Sequence, residues 1–365
     1  MNTSTCPDVI AEVRGHVGCL TLNRPQAMNA LSLDMVRALT TALLAWREDP
    51  QVQAVAFRGN SKSGSFGAFC AGGDIRFFHR AALAGDPTLD DFFTEEYTLN
   101  HLIHHYPKPT VAFMDGVCMG GGMGLGQGAR WRVVTERSQL AMPETLIGLF
   151  PDVGGGHFLS RCPGHLGEYL ALTGQSLLGA AACAAGWADV CVPSDALDSL
   201  WAGLTNPVWP GWDAWVSASH QVAVGANPAP TWDTEAVNRC FAGANLSAIV
   251  AELEALATPW AQTTLAQLRH RSPLMLHVTL EQIRRARHLT LAQDLRMERD
   301  LVRHCFQLRP GPSSETVEGI RALVVDKDKS PRWNPQHIAE VTPDMVASFF
   351  TSPWPPHAHP LRHLT

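Results

Sequence analysis

The segment Asp115-Gly116-Val117-Cys118-Met119-Gly120-Gly121-Gly122 constrains the fold more than any other part of the chain. It lies between an apolar run, 109–114, and a run of helical character, 120–129. Glycines at a strand-to-helix junction let backbone N–H groups face a ligand and let the helix pack close to its strand. Two other segments share this texture. One is Phe69-Cys70-Ala71-Gly72-Gly73-Asp74-Ile75. The other is Ala141-Met142-Pro143-Glu144, continuing to Phe150-Pro151-Asp152-Val153-Gly154-Gly155-Gly156. One such loop is explained as well by packing as by function. Two loops together supply two N–H donors, the chemistry of an oxyanion hole, and Glu144 and Asp152 add carboxyl groups downstream.

The surrounding pattern alternates strand and helix. Val17–Leu22 reads as a strand closed by the turn Asn23-Arg24-Pro25. Ser32 is placed to cap a helix running to about Arg47, with Met35, Val36, Leu39, Leu43 and Leu44 at helical spacing. Residues 52–58, 109–114 and 131–135 read as further strands, and 59–73 as a loop. This alternation predicts an α/β fold. The texture changes at 205–232, where Pro207, Pro210, Pro228 and Pro230 mix with Trp209, Trp212, Trp215 and Trp232. Two helical stretches follow, about 235–257 and 260–306. The expected division is therefore a core over 8–204, a Trp/Pro-rich connection with a helical C-terminal region over 205–350, and a disordered tail over 351–365.

Composition narrows the class. The 365 residues are 45% hydrophobic with a net charge of −6, which excludes bulk affinity for nucleic acid or an anionic membrane. No run approaches ~18 apolar residues, so no transmembrane helix is expected. The nine cysteines are scattered and never spaced C-x-x-C. They read as reduced thiols, neither a disulfide framework nor a metal site. Residues 1–12 include Asp8 and Glu12 and no apolar leader core, so a cytoplasmic enzyme is expected.

Together the three glycine-rich segments resemble the enoyl-CoA hydratase/isomerase (crotonase) family, within it the 3-hydroxyisobutyryl-CoA hydrolase branch. Residues 23–31, Asn-Arg-Pro-Gln-Ala-Met-Asn-Ala-Leu, resemble the family's opening motif. Residues 326–333 and Glu340-Val341-Thr342 resemble a C-terminal signature of that branch. The resemblance implies a spiral of ββα turns with a helical C-terminal region. It implies Gly73 and Gly121 as oxyanion donors, Glu144 as the principal catalytic carboxylate and Asp152 as a second acid. Glu96 would contact substrate, and Arg24, Ala71, Gly72 and Asp74 would flank the CoA portion, with Asp74 holding the loop. The implied reaction is hydrolysis of a short 3-hydroxyacyl-CoA thioester, Glu144 serving as general base or nucleophile. The partner is then an acyl-CoA substrate, with no separate cofactor and no metal, and the family's habits allow a homo-oligomer.

One position separates branches. A hydratase places its first glutamate where this chain has Gly124, so hydration would need an acid from elsewhere. Other readings are weaker. Gly124-Leu125-Gly126-Gln127-Gly128-Ala129 satisfies a dinucleotide fingerprint, but inside a helical run rather than at the strand–helix turn. No G-x-S-x-G is present. His101, His104 and His105 have a helical spacing that could suit a metal, but the sequence around them offers no convincing carboxylate ligand, and they read as a helix face or core packing. Cys70 and Cys118 read as small buried hydrophobes. A CoA-binding protein without turnover is the non-enzymatic alternative.

Overall fold

The computed structural model describes residues 6–224, 230 and 232–365. The chain divides into two compact units. The first comprises Met1–Gly73, Thr98–Ala141 and Ser176–Thr231. The second comprises Asp74–Tyr97, Met142–Gln175 and Trp232–Thr365. The division is interleaved and does not follow the sequential boundary expected near residue 205.

Among the described residues the first unit holds all nine strands: β1 (Val9–Arg14), β2 (Val17–Leu22), β3 (Ala54–Gly59), β4 (Thr110–Phe113), β5 (Val117–Met119), β6 (Trp131–Thr135), β7 (Gln139–Ala141), β8 (Leu177–Leu178) and β9 (Val190–Val192). The main sheet runs β1-β2-β3-β4-β6-β9, with β1 antiparallel to β2 and every other pairing parallel. All six residues of β2 are buried, as expected for a strand covered on both faces. A smaller sheet, β5-β7-β8, stands apart.

The helix Leu33–Glu48 crosses from β2 to β3, and the Ser32 hydroxyl caps it by accepting from the Met35 N–H at 3.3 Å. Its buried stripe is Met35, Val36, Leu39, Ala42, Leu43 and Trp46. Leu44, expected to face inward, is exposed because it lies off that stripe. β1 was not legible, and neither were the helices Ile75–Ala84 and Thr88–His104.

The Trp/Pro-rich segment is no connection between domains. Trp201 and Trp215 are buried against Val17, Ala54, Val111 and Val133 of the main sheet, and Trp209 and Trp212 pack on the same cluster. Trp215 sits on the helix Trp212–Gln221 and donates its Nε1–H to the Leu200 carbonyl at 2.9 Å. Residues 225–229 and 231, which include Pro228, lie outside the described residues.

In the second unit the two long helices expected over 235–306 are five: Thr234–Phe241, Leu246–Leu256, Pro259–Arg269, Pro273–Ala286 and Leu291–Gln307. Each later start carries its own cap. Asn245, Thr258, Ser272 and Thr290 each accept a backbone N–H, Pro259 and Pro273 open their helices, and Thr290 forms a capping box with Gln293. Apolar spacing continues across these breaks, so periodicity alone merged them.

The tail over 351–365 is a correction. Leu361 and Leu364 are buried, at 0% and 5% exposure. Arg296 donates to the Leu364 carbonyl at 2.8 Å, and His359 Nε2 lies 3.3 Å from an Asp300 carboxylate oxygen. A Pro/His-rich stretch forms no long element, yet two buried leucines and an anchored carbonyl suffice to fix it. Truncation after Phe350 is therefore expected to cost roughly 2 kcal/mol or more. The urea midpoint checks this, and an unchanged midpoint would return the tail to disorder.

Candidate active site

In the first unit the two glycine-rich loops run side by side. Phe69 N–H donates to the Asp115 carbonyl (2.9 Å), Cys70 N–H to Val117 (3.0 Å), and Met119 N–H to Cys70 (2.9 Å). This short parallel ladder brings the segment ending at Gly73 beside the segment ending at Gly121. Gly120 adopts φ 49°, ψ −122°, open in practice only to glycine, and opens the helix Gly121–Gln127. The Gly121 N–H therefore lies at the helix start, where the first amides have no intrahelical acceptor. A Cβ added at Gly72 would stand 3.6 Å from the Gly121 nitrogen, so the two loops approach each other closely there. Gly122 serves packing instead: a Cβ there would stand 2.4 Å from the Cys70 carbonyl oxygen. Functional and packing readings of the glycines thus apply to different positions.

The Asn23–Leu31 motif fixes this loop from behind. Asn29 is fully buried. Its side-chain amide donates to the carbonyls of Asn60 (3.1 Å) and Ala68 (2.7 Å) and accepts from the Arg24 N–H (2.8 Å). The Ala71 N–H donates to Met28, and the Leu31 N–H to Gly72. Arg24 donates to the Ala30 carbonyl at 3.1 Å and lies 3.9 Å from Asp8. In the second unit Asp74 caps the helix Ile75–Ala84 by accepting from the Phe77 N–H.

The second unit gathers the carboxyl groups. Glu144 opens a 3-10 turn, Glu144–Ile147, behind Pro143. Thr145 pins this turn: its carbonyl accepts from the Ser272 N–H and its hydroxyl donates to Leu172. Glu144 is buried, and among the described residues its Oε2 has no hydrogen-bond partner. Burial, then the Asp152 charge, push its carboxyl well above the usual range, and the Arg271 guanidinium opposes this only weakly.

Asp152 is also buried and accepts a 2.8 Å hydrogen bond from the Tyr97 hydroxyl. Burial raises it to about 6, with the Tyr97 bond and its own backbone holding it below that of its neighbours. Glu96 precedes Tyr97 on the helix Thr88–His104, is 2% exposed, and has an unpartnered Oε1 among the described residues. Burial and then the charges of Asp152 and Glu144 raise it well above the ordinary value. Three carboxyl groups that feel one another in a dry setting disfavour each other's ionisation, and the Tyr97 hydroxyl favours the charged form at Asp152. Val153 follows in the left-handed region (φ 57°), a strain of about 1–3 kcal/mol for a β-branched residue.

Tyr97 is the site residue that sequence reasoning missed. It lies beside Glu96 with nothing local to mark it, since its partner is 55 residues away. The sequence likewise gave no sign of Glu298, whose carboxylate accepts from the N–H groups of Gly154 (2.7 Å) and Gly156 (2.9 Å). Gly124 is buried inside its short helix, so the position where a hydratase keeps an acid holds none. Cys70 and Cys118 are buried, and burial holds the Cys118 thiol well above its ordinary pKa, as expected of hydrophobes rather than nucleophiles. The His101 and His105 rings stack at 4.1 Å on their helix, and among the described residues no cluster is arranged to hold a metal.

A strand–helix spiral with paired glycine loops and a buried carboxyl cluster defines an acyl-CoA-type α/β fold. The chain belongs to the enoyl-CoA hydratase/isomerase family, whose model matches residues 17–350. It is 40% identical to the mitochondrial 3-hydroxyisobutyryl-CoA hydrolase of Xenopus tropicalis, over 93% of this chain and 87% of that protein. It is 37% identical to 3-hydroxyisobutyryl-CoA hydrolase 1 of Arabidopsis thaliana, over 94% and 91%. Among solved structures it is similar to a carnitinyl-CoA dehydratase from Mycobacterium thermoresistibile, at TM-score 0.85 and 38% identity over 95% of this chain and 97% of that one.

The raised carboxyls give a pH prediction with a definite sign. Between ~3.9, the unfolded value, and about 6, folded Asp152 binds its proton more tightly than the unfolded chain does. Stability therefore falls as pH rises through that window and stays lower above it. Asp152→Asn is expected to stabilise the fold by ~1–3 kcal/mol at pH 8, with the gain shrinking toward pH 5. Denaturant titrations at the two pH values check this; an equal or absent gain at both would refute it. Tyr97→Phe removes the donor that favours the anion, so the Asp152 titration is expected to move upward from about 6, read in the acidic limb of the pH–rate profile.

Proposed function

We propose that this protein hydrolyses a short 3-hydroxyacyl-CoA thioester, 3-hydroxyisobutyryl-CoA first among them, to the free acid and CoA. The observation that carries the reading is Glu144: buried, with an unpartnered oxygen and a raised pKa, grouped with Asp152 and Glu96. The names of the relatives that align over nearly the whole chain point the same way.

The chemistry assigns roles. The amides of Gly73 and Gly121 take the thioester carbonyl oxygen as it gains negative charge, each donor contributing on the order of 10²–10³ in rate. Glu144, once ionised, either draws a proton from water or attacks the carbonyl carbon to form a mixed anhydride that water then opens. In both routes the C–S bond breaks, and CoA leaves as thiolate and takes up a proton; the water oxygen ends in the carboxylate product in the first route, and in the second it ends there when water attacks the acyl carbon and in Glu144 when it attacks the Glu144 carboxyl carbon. Asp152 and Glu96 recognise the 3-hydroxyl or pass the proton. The raised pKa of Glu144 fixes the sign of the pH dependence: activity rises with pH as that group ionises. No cofactor beyond the CoA of the substrate enters the scheme.

A hydratase is the second reading, favoured by one observation. The cluster offers Glu144 two further acids, Glu96 and Asp152, from which a second hydration carboxylate could be drawn despite Gly124. Thiol release from 3-hydroxyisobutyryl-CoA, followed in parallel with crotonyl-CoA absorbance, separates the two. Fast thiol release with unchanged enoyl absorbance is the expected result; falling absorbance without thiol would mean hydration. Glu144→Ala is expected to lower turnover by at least ~10². Near-normal turnover in that variant would sink the mechanism.

A further inference from the structure

We propose that Glu298 is a positioning residue for Asp152, clamping the turn that carries it, and that Asp294 holds Glu298 in place through a shared proton. This rests on the reading above that Asp152 serves the thioester reaction.

Both acids lie on the helix Leu291–Gln307, one turn apart, and both are completely buried. Glu298 reaches no cation. Instead its Oε2 accepts from Gly154 N–H, while its Oε1 accepts from Gly156 N–H and, at 3.1 Å, from the Gln282 amide. Three donors on two oxygens leave one acceptor site of that carboxyl free for a shared proton, and burial and then the Asp294 charge hold Glu298 well above the ordinary range. Asp294 accepts from the His157 N–H with Oδ2, at 2.7 Å. Its Oδ1 has no donor among the described residues, yet the Asp294 side chain stands within hydrogen-bond reach of Glu298. One proton shared between the two carboxyls satisfies both facts, and burial, which raises Asp294 to about 7 and Glu298 well above its ordinary value, keeps that proton on the pair.

The clamp brackets Asp152 closely. Gln282 also donates to the Pro151 carbonyl at 2.6 Å, so the residue before Asp152 is held by the same group. After it, Val153 and Gly154 adopt successive left-handed conformations before the two clamped amides. The turn has no regular hydrogen-bond ladder to hold such a backbone, and side chains from the helices Pro273–Ala286 and Leu291–Gln307 take its place. At Gly156 an added Cβ would stand 2.4 Å from the Asp294 oxygen, so helix start and acid pair meet without a gap. Glu298 touches no reacting atom in this scheme; it acts by fixing where the Asp152 carboxyl points.

A double-mutant cycle tests this. E298Q keeps size and shape but turns one acceptor into a donor facing an N–H. It is expected to lower kcat by ~10-fold or more alone, but by less than ~2-fold in an Asp152→Asn background, because the group it positions is gone. D294N, whose amide can donate where the carboxyl proton does, is expected to retain at least about a third of turnover, whereas D294L is expected to follow E298Q. Should E298Q not fold, Gln282→Leu carries the same cycle. E298Q within twofold of wild type, or a tenfold loss added on top of Asp152→Asn, would overturn the inference while leaving the thioesterase reading intact. Asp152→Asn with normal turnover would also overturn the inference, since no Asp152 role would remain to support, whereas absence of thiol release from the wild-type protein would overturn the thioesterase reading instead.

Discussion

Taking several carboxyl groups out of water is the constraint on which the second unit depends. A buried carboxylate must find donors, or keep its proton. Four acids here, Glu96, Glu144, Asp152 and Glu298, meet that condition in three ways. Asp152 borrows the Tyr97 hydroxyl, and Glu298 collects backbone N–H groups from the turn at 154–156. Glu96 and Glu144 are left with unpartnered oxygens, so their charge is disfavoured until something enters to receive it. Groups in that state are poor stabilisers and good acids and bases, which is the condition a proton-transfer site requires.

The first unit meets a different constraint, the approach of backbone to backbone. Two loops can present amides to one carbonyl oxygen only if no side chain separates them. Gly72, Gly120 and Gly122 make that approach possible for different reasons: nearness to the opposite amide, a conformation closed to other residues, and contact with a carbonyl oxygen. Asn29 then fixes the loop by spending its side-chain amide on two distant carbonyls. The opening motif is thus explained by a buried hydrogen-bonding hub rather than by contact with a ligand.

The two units differ in how much of them was legible. The strands β2 and β6 were read correctly to the residue; in β2 all six residues are buried, and in β6 the buried run Val133–Thr135 follows half-buried Trp131 and Arg132. The edge strand β1 alternates and was missed. The C-terminal helices were detected but merged, since the breaks lie in capping residues and not in the apolar rhythm. Trp209, Trp212 and Trp215 were taken for part of a connection, although they cover the main sheet from positions far along the chain.

By itself the sequence determined the chemistry on offer: glycines at two strand ends, Glu144 after a proline, Asp152 before a glycine run, and a glycine where a hydratase would keep an acid. These are local facts, written within a few residues. Only the tertiary structure decided which acids share a buried setting, that Tyr97 supports Asp152, and that Glu298 holds its turn from 144 residues away. Those outcomes depend on desolvation and on hydrogen bonds between distant segments, and neither has a local signature for a sequence to show.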